Sequence, residues 1–185
     1  MRTLKRILGS LVAGAGLVAA LSMTANAAPD FVRGTVDADG GLNGRIAPTT
    51  HSDVTYVYPD GSEVSIDCQT KGTIVNGNAV WYLLSGEGEA KWVSAEYVNL
   101  HGEEPNWCGD TGSTISVTLT QDVDSHQGPS VADDVRTAHH EGDGQEVLCY
   151  AYTSPAGQDR WVVTLEDGWL PYEAVSSDQE IPFCQ

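Results

Sequence analysis

Short runs in which apolar and polar residues alternate, separated by clusters of turn formers, make up most of the chain. Val54, Tyr56 and Tyr58 alternate with Thr55 and Val57, and Pro59-Asp60-Gly61-Ser62 then turns the chain. Val64, Ile66 and Cys68 alternate with Ser65 and Asp67. Trp81-Tyr82-Leu83-Leu84 follows a Gly/Asn loop, and Lys91-Trp92-Val93 follows Gly86-Glu87-Gly88. A period of two bounded by Gly, Pro, Asn and Asp predicts strands. Further on, Trp161 to Leu165 runs into Asp167-Gly168 and then Trp169, a two-residue hairpin signal. Ser94-Ala95-Glu96 and Pro171-Tyr172-Glu173 each suit one turn of 3₁₀ helix. Helical periodicity is not sustained anywhere after the first 27 residues. Five or so short strands in about 75 residues predict a small barrel or sandwich.

The pattern occurs twice. At a shift of 81, Pro48 meets Pro129, Asp53-Val54 meets Asp134-Val135, Gly61 meets Gly142 and Cys68 meets Cys149. The shift drifts as loops change length. Trp81 meets Trp161 at 80, Trp92 and Val98 meet Trp169 and Val175 at 77, and Cys108 meets Cys184 at 76. Two Trp and two Cys recurring in one order identify an internal repeat. The stretch from Gly102 to Gly112 is rich in turn formers, so the boundary falls there. Two modules result, 31–108 and 113–184. Trp107, beside Cys108 in the linker, is expected to pack between modules and to lack a counterpart in the second copy.

The N-terminus changes the setting. Met1 to Arg6 carries three cations and no anion, an apolar run follows from Ile7 to Met23, and Ala25-Asn26-Ala27 closes it. That order is a secretory signal, expected to be cleaved after Ala27. Removing residues 1–27 takes three of the nine Lys and Arg and none of the 26 Asp and Glu. Six cations then face 26 anions, a net charge of −20. Such a surface repels phosphate backbones and anionic lipid, so nucleic acid and, once processed, membrane are excluded as partners. The expected location is extracellular.

Four cysteines in an exported chain favour two disulfides, and four thiols allow three pairings. The repeat favours Cys68 with Cys108 and Cys149 with Cys184, because pairing within a copy treats both modules alike and ties each module's tail back to its body. Each bridge would contribute about 2–4 kcal/mol, a large share of the stability of so small a module.

The anchors of the first copy are Leu42-Asn43-Gly44-Arg45-Ile46-Ala47-Pro48-Thr49, Trp81-Tyr82-Leu83-Leu84 and Trp92-Val93-Ser94-Ala95-Glu96-Tyr97-Val98. Their order resembles the bacterial SH3-like (SH3b) domain. The second copy is more divergent: His126 stands where the family has Arg, and Trp169-Leu170 replaces Trp-Val. The resemblance implies an all-β chain of two tandem SH3-like small barrels, each with one disulfide. It also implies a non-catalytic recognition role, commonly toward peptidoglycan or its peptide stems.

Candidate chemistry adds little to that expectation. The sequence contains no Gly-x-Ser-x-Gly elbow and no His-Glu-x-x-His zinc motif, and the cysteines are assigned to disulfides. His139-His140-Glu141 reads as an exposed turn. No enzyme activity, cofactor or metal is expected. The four repeated Trp residues read as core. Binding is sought instead on exposed aromatics, since a Tyr presents an apolar face and a polar tip. The candidate ligand groove comprises Tyr56, Tyr58 and Tyr82 in the first copy and Tyr150, Tyr152 and Tyr172 in the second. The expected partner is a cell-wall glycopeptide. The alternative is an extracellular protein with a basic surface, for which the negative charge would aid association.

Overall fold

The structure is a computed structural model and describes residues 31–86, 91–109, 112–154, 157 and 159–184. The signal segment expected at 1–27 lies outside the described residues. The fold is all-β. Strands β1 (Val32–Val36), β2 (Leu42–Arg45), β3 (Val54–Tyr58), β4 (Glu63–Val75), β5 (Asn78–Leu84), β6 (Lys91–Ser94) and β7 (Val98–Leu100) form one antiparallel sheet. Strands β8 (Ile115–Leu119), β9 (Val123–His126), β10 (Val135–His139), β11 (Gly144–Tyr152), β12 (Arg160–Thr164), β13 (Trp169–Pro171) and β14 (Val175–Ser176) form the second.

Strand order is the same in both sheets: β3-β2-β6-β5-β4-β1-β7 and β10-β9-β13-β12-β11-β8-β14. Seven strands stand in each sheet rather than the five or so expected; in the first, β1, β2 and β7 are the ones the alternation did not mark. The 3₁₀ turns fall at Ala95–Tyr97 and Tyr172–Ala174, one residue later than the sequence suggested. The Ser94 side chain caps the first, whereas Pro171 leaves the second without a side-chain cap. The expected two-residue hairpin at Asp167-Gly168 is a wider loop, closed by the Thr164 amide on Gly168 O at 2.8 Å. Gly168 has φ of 102°, and a Cβ there would lie 2.3 Å from His126 O, so only glycine fits this corner.

Both disulfides form within their own repeats, Cys68–Cys108 and Cys149–Cys184. Each ties the tail of its sheet to β4 or β11 through one parallel bridge, Gln69 with Trp107 and Tyr150 with Phe183. Phe183 is therefore the counterpart of Trp107 that the sequence reading overlooked. Trp107 is 40% exposed and lines an apolar hollow of about 270 Å³ that includes Leu148 and Val163 of the second repeat.

Packing follows from strand parity. Val36, Leu42, Ile66, Tyr82, Leu84 and Val93 form a core inside the first sheet, and Ile115, Val117, Leu119, Val147, Val162 and Leu170 form one inside the second. The opposite face of the central strands is buried as well. Cys68, Trp81, Leu83, Trp92 and Cys108 merge with Leu148, Cys149, Ala151, Trp161, Val163, Trp169 and Cys184 into one cluster that spans both modules. β5 and β12 are thus covered on both sides, which is why Trp81-Tyr82-Leu83-Leu84 and Trp161-Val162-Val163-Thr164 read as continuous runs rather than alternations.

A β-bulge makes this arrangement work. The register of β4 against β5 slips between Ile66 and Cys68, and that of β11 against β12 slips between Val147 and Cys149. One extra residue reverses the facing of everything after it. Ile66 and Val147 point into their own sheets, while Cys68 and Cys149 two residues later point into the shared core.

Polar contacts add direction to the apolar junction. β4 has 13 residues against nine in β11, and its far half reaches the second module. Trp169 Nε1 donates to Lys71 O at 2.7 Å, Thr73 Oγ1 donates to Asp133 Oδ1 at 2.5 Å, and the Ile74 amide donates to Gln127 Oε1 at 3.2 Å. Asp133 is buried, with His51 Nδ1 of the first module 3.2 Å from the same Oδ1. Gly128 allows this approach: a Cβ there would sit 2.5 Å from Asp133 Oδ2 and 2.9 Å from the Thr73 amide nitrogen.

Candidate binding site

The six tyrosines singled out from the sequence separate into three groups. Tyr56 and Tyr58 lie side by side on edge strand β3, ring centroids 4.8 Å apart in an edge-to-face contact. Tyr56 is half exposed, and burial, then the neighbouring Tyr56, raises the Tyr58 phenol above its ordinary value. Tyr82 does not join them. It lies inside the first sheet at 6% exposure, because β5 is covered on both faces, and burial raises its phenol as well. The first-copy groove is therefore reduced to the β3 pair.

Tyr150, Tyr152 and Tyr172 do come together. Tyr150 and Tyr152 share a face of β11 with centroids 5.4 Å apart, and Tyr172, opening the second 3₁₀ turn, lies 5.5 Å from Tyr150. Phe183 completes the cluster, 5.5 Å from Tyr150 and 5.8 Å from Tyr152. It is held there by the Tyr150 amide donating to Pro182 O at 2.8 Å and the Cys184 amide donating to Tyr150 O at 2.9 Å. Arg160, next to Tyr152 across the β11–β12 ladder, lays its guanidinium 3.7 Å from the Tyr172 ring centroid and 5.6 Å from that of Tyr150. Cation–π contact fixes the orientation of a charge that would otherwise be mobile. Hydrogen bonding to the Tyr152 hydroxyl, 3.5 Å away, and then partial burial raise the Tyr150 phenol.

All of these side chains are partly exposed, so four aromatic rings and one cation present a half-open surface. Rings of this kind offer stacking faces for sugar or peptide, with hydroxyls for polar atoms. Phe183 and Arg160 were absent from the sequence expectation. Phe183 was legible, since it stands at the shift of 76 from Trp107 just as Cys184 does from Cys108. Arg160 gave no signal, because its counterpart Val80 is apolar.

The first module builds nothing equivalent there. Gln69, Lys71, Val80 and Ala95 occupy the positions of Tyr150, Tyr152, Arg160 and Tyr172. A hollow of about 600 Å³ in this module lies elsewhere, with Asp37, Asp39, Arg45, Trp81 and Tyr97 among its lining residues. Arg45 is committed to structure, its guanidinium donating to Ser52 O at 2.6 Å. In the second module His126 Nδ1 makes the matching contact, 2.9 Å from Asp133 O, which accounts for the exchange of Arg for His.

His139-His140-Glu141 is only partly the exposed turn expected. His139 is buried at the end of β10, where it occupies the place of Tyr58, while His140 and Glu141 are exposed. The four repeated Trp residues are all buried, as expected. Among the described residues no group of three or more His, Cys, Asp or Glu is placed to hold a metal ion, and no helix is long and apolar enough to cross a membrane.

No protein-family model matches the chain, and no curated protein matches it. Among solved structures it is similar to NlpC2 from Trichomonas vaginalis, with 11% identity and a TM-score of 0.30 over 82% of this chain and 50% of that one. It is also similar to NlpC1 from the same organism, with 12% identity and a TM-score of 0.28 over 89% of this chain and 52% of that one. The chain thus spans about half the length of these structures. A likeness at this level carries no argument about activity.

Proposed function

We propose that the chain is a secreted, non-catalytic binding protein of two SH3b-like modules that recognises peptidoglycan or a peptide ligand. The observation that carries this reading is the aromatic cluster of Tyr150, Tyr152, Tyr172 and Phe183 capped by Arg160. Its residues sit on regular strands, a 3₁₀ turn and a disulfide-tethered tail, so the site is preformed and loses little entropy on binding. The signal sequence and the two disulfides support an oxidising, extracellular setting. The sequence anchors of the first copy support the SH3b-like reading.

Co-sedimentation with purified cell-wall sacculi, with and without their anionic polymers, tests the proposal. Wild-type protein should sediment with the stripped sacculi, and a Tyr152→Ala/Tyr172→Ala double variant should remain in the supernatant. Wild type that sediments with neither preparation overturns the cell-wall reading. A second reading, docking on a basic extracellular protein, is favoured by the excess of 26 acidic over six basic residues after the signal. Salt-reversible capture of one basic protein from culture supernatant would support it; capture of none would refute it.

A further inference from the structure

Arg160 faces two ways. One side of its guanidinium covers Tyr172, and the same residue lines a cleft of about 350 Å³ between the modules. Thr49, His51 and Ser52 of the first module form part of that cleft, opposite Ser130, Thr153 and Trp161 of the second. The chemistry on the two walls is complementary in a specific sense. Arg160 makes no ion pair among the described residues, although the chain holds 26 carboxylates. His51 is oriented through Nδ1 by the buried Asp133, and its Nε2 makes no hydrogen bond among the described residues. An oriented guanidinium and an oriented imidazole thus border one space together with hydroxyl donors.

We propose that this cleft takes the free carboxylate of a short peptide, held between Arg160 of the second module and the imidazolium form of His51 of the first, whose Nδ1–H donates to Asp133 and whose Nε2–H donates to the ligand. The inference rests on the binding role proposed above and names the group that role would recognise. Arg offers a planar fork that a carboxylate matches with two parallel hydrogen bonds, and cation–π contact with Tyr172 keeps that fork in place. The charge accepted is small. Asp159 and Glu173 also line the cleft, so repulsion grows with the charge of the ligand, and a single carboxylate on a neutral chain meets less of it than a phosphate or a polyanion. The rest of such a peptide would run onto the rings of Tyr150, Tyr152 and Tyr172. Because Arg160 and His51 come from different modules, the site exists only when the modules are docked.

The test uses the full mature chain and two probes, tri-alanine with a free C-terminal carboxylate and the same peptide as its C-terminal amide, followed through the Trp161 indole N–H resonance. The free acid should shift that resonance saturably, and the amide should bind at least about tenfold more weakly. Arg160→Gln and His51→Ala should each remove the difference between the probes, while Arg160→Lys should retain part of it. Unchanged amide spectra away from the cleft would show that the variants fold. Equal binding of acid and amide, no shift with either, or a preference that survives both Arg160→Gln and His51→Ala overturns the carboxylate site. Failure here with sacculus binding still lost in the Tyr152→Ala/Tyr172→Ala variant would leave the aromatic site standing, so the two proposals fail separately.

Discussion

The two modules share strand order, bulge position and disulfide placement, yet differ at nearly every residue around the disulfide-tethered tail. Gln69 and Trp107 pair in the first module where Tyr150 and Phe183 pair in the second. Lys71, Val80 and Ala95 stand where Tyr152, Arg160 and Tyr172 assemble a cluster. The lesson is where duplication is held and where it is released. Residues that face the joint core are kept as Trp and Cys in both copies, because a hole there would cost both modules. Residues on the opposite face of the same strands, where each sheet's own core reaches solvent, are free to diverge, and in one copy only they have become a candidate site.

The largest expected effect comes from the shared core. Trp169 is fully buried and bonds Lys71 O across the junction. Trp169→Ala should cost about 3–5 kcal/mol, read as a lower denaturant midpoint. If the modules were independent, the loss would be confined to the second of two transitions; here the whole chain should lose stability together.

Next is the disulfide comparison. Replacing Cys149 and Cys184 together by Ala should cost about 2–4 kcal/mol and release the tail carrying Phe183, so ligand binding falls with stability. The matching Cys68/Cys108 replacement should cost a similar amount but leave the aromatic cluster assembled. Urea unfolding alongside sacculus binding reads both, and equal loss of binding in the two variants would erase the functional asymmetry between the modules.

Asp133 sharpens the comparison further. It takes the place of Ser52 and turns a local turn contact into a junction contact with Thr73 and His51. Asp133→Ala leaves the Thr73 hydroxyl without its partner and should cost about 1–3 kcal/mol, whereas Ser52→Ala should disturb only its own turn. Thermal unfolding of the two variants checks this.

The smallest effect is a pH dependence. The Tyr150 phenol is raised above its ordinary value near 10 chiefly by the hydrogen bond with Tyr152. A raised value means that the folded chain holds this proton more tightly. The stabilisation is complete below the ordinary phenol range and is lost as pH rises through the raised value. Tyr150→Phe should remove a late component from the alkaline phenolate absorbance titration and flatten the loss of stability there.

Much of this was legible in the sequence. The Trp and Cys repeats predicted two modules and the disulfide pairing, and the alternation around Val54 and Val64 predicted strands. The junction was written there too, though not in periodicity. Trp-Tyr-Leu-Leu and Trp-Val-Val-Thr are apolar on both faces of a strand, which demands a second covering surface. What the pattern lacked was the bulge before each of Cys68 and Cys149, since Ile66 and Cys68 look equivalent at a period of two. Tyr82 was misplaced as a groove residue for a related reason: its neighbours Trp81 and Leu83 face the other module, so Tyr82 itself points into the core of its own sheet. Arg160 was invisible because its role depends on a ring 12 residues later in sequence.

Amide hydrogen exchange on Trp169→Ala tests the central claim, that both modules close on one core, most directly. The account predicts that protection falls in β4 and β5 of the first module by the same free energy as in β11 and β12 of the second. Loss confined to the second module, with Trp81 to Leu84 as protected as in the wild type, would contradict it.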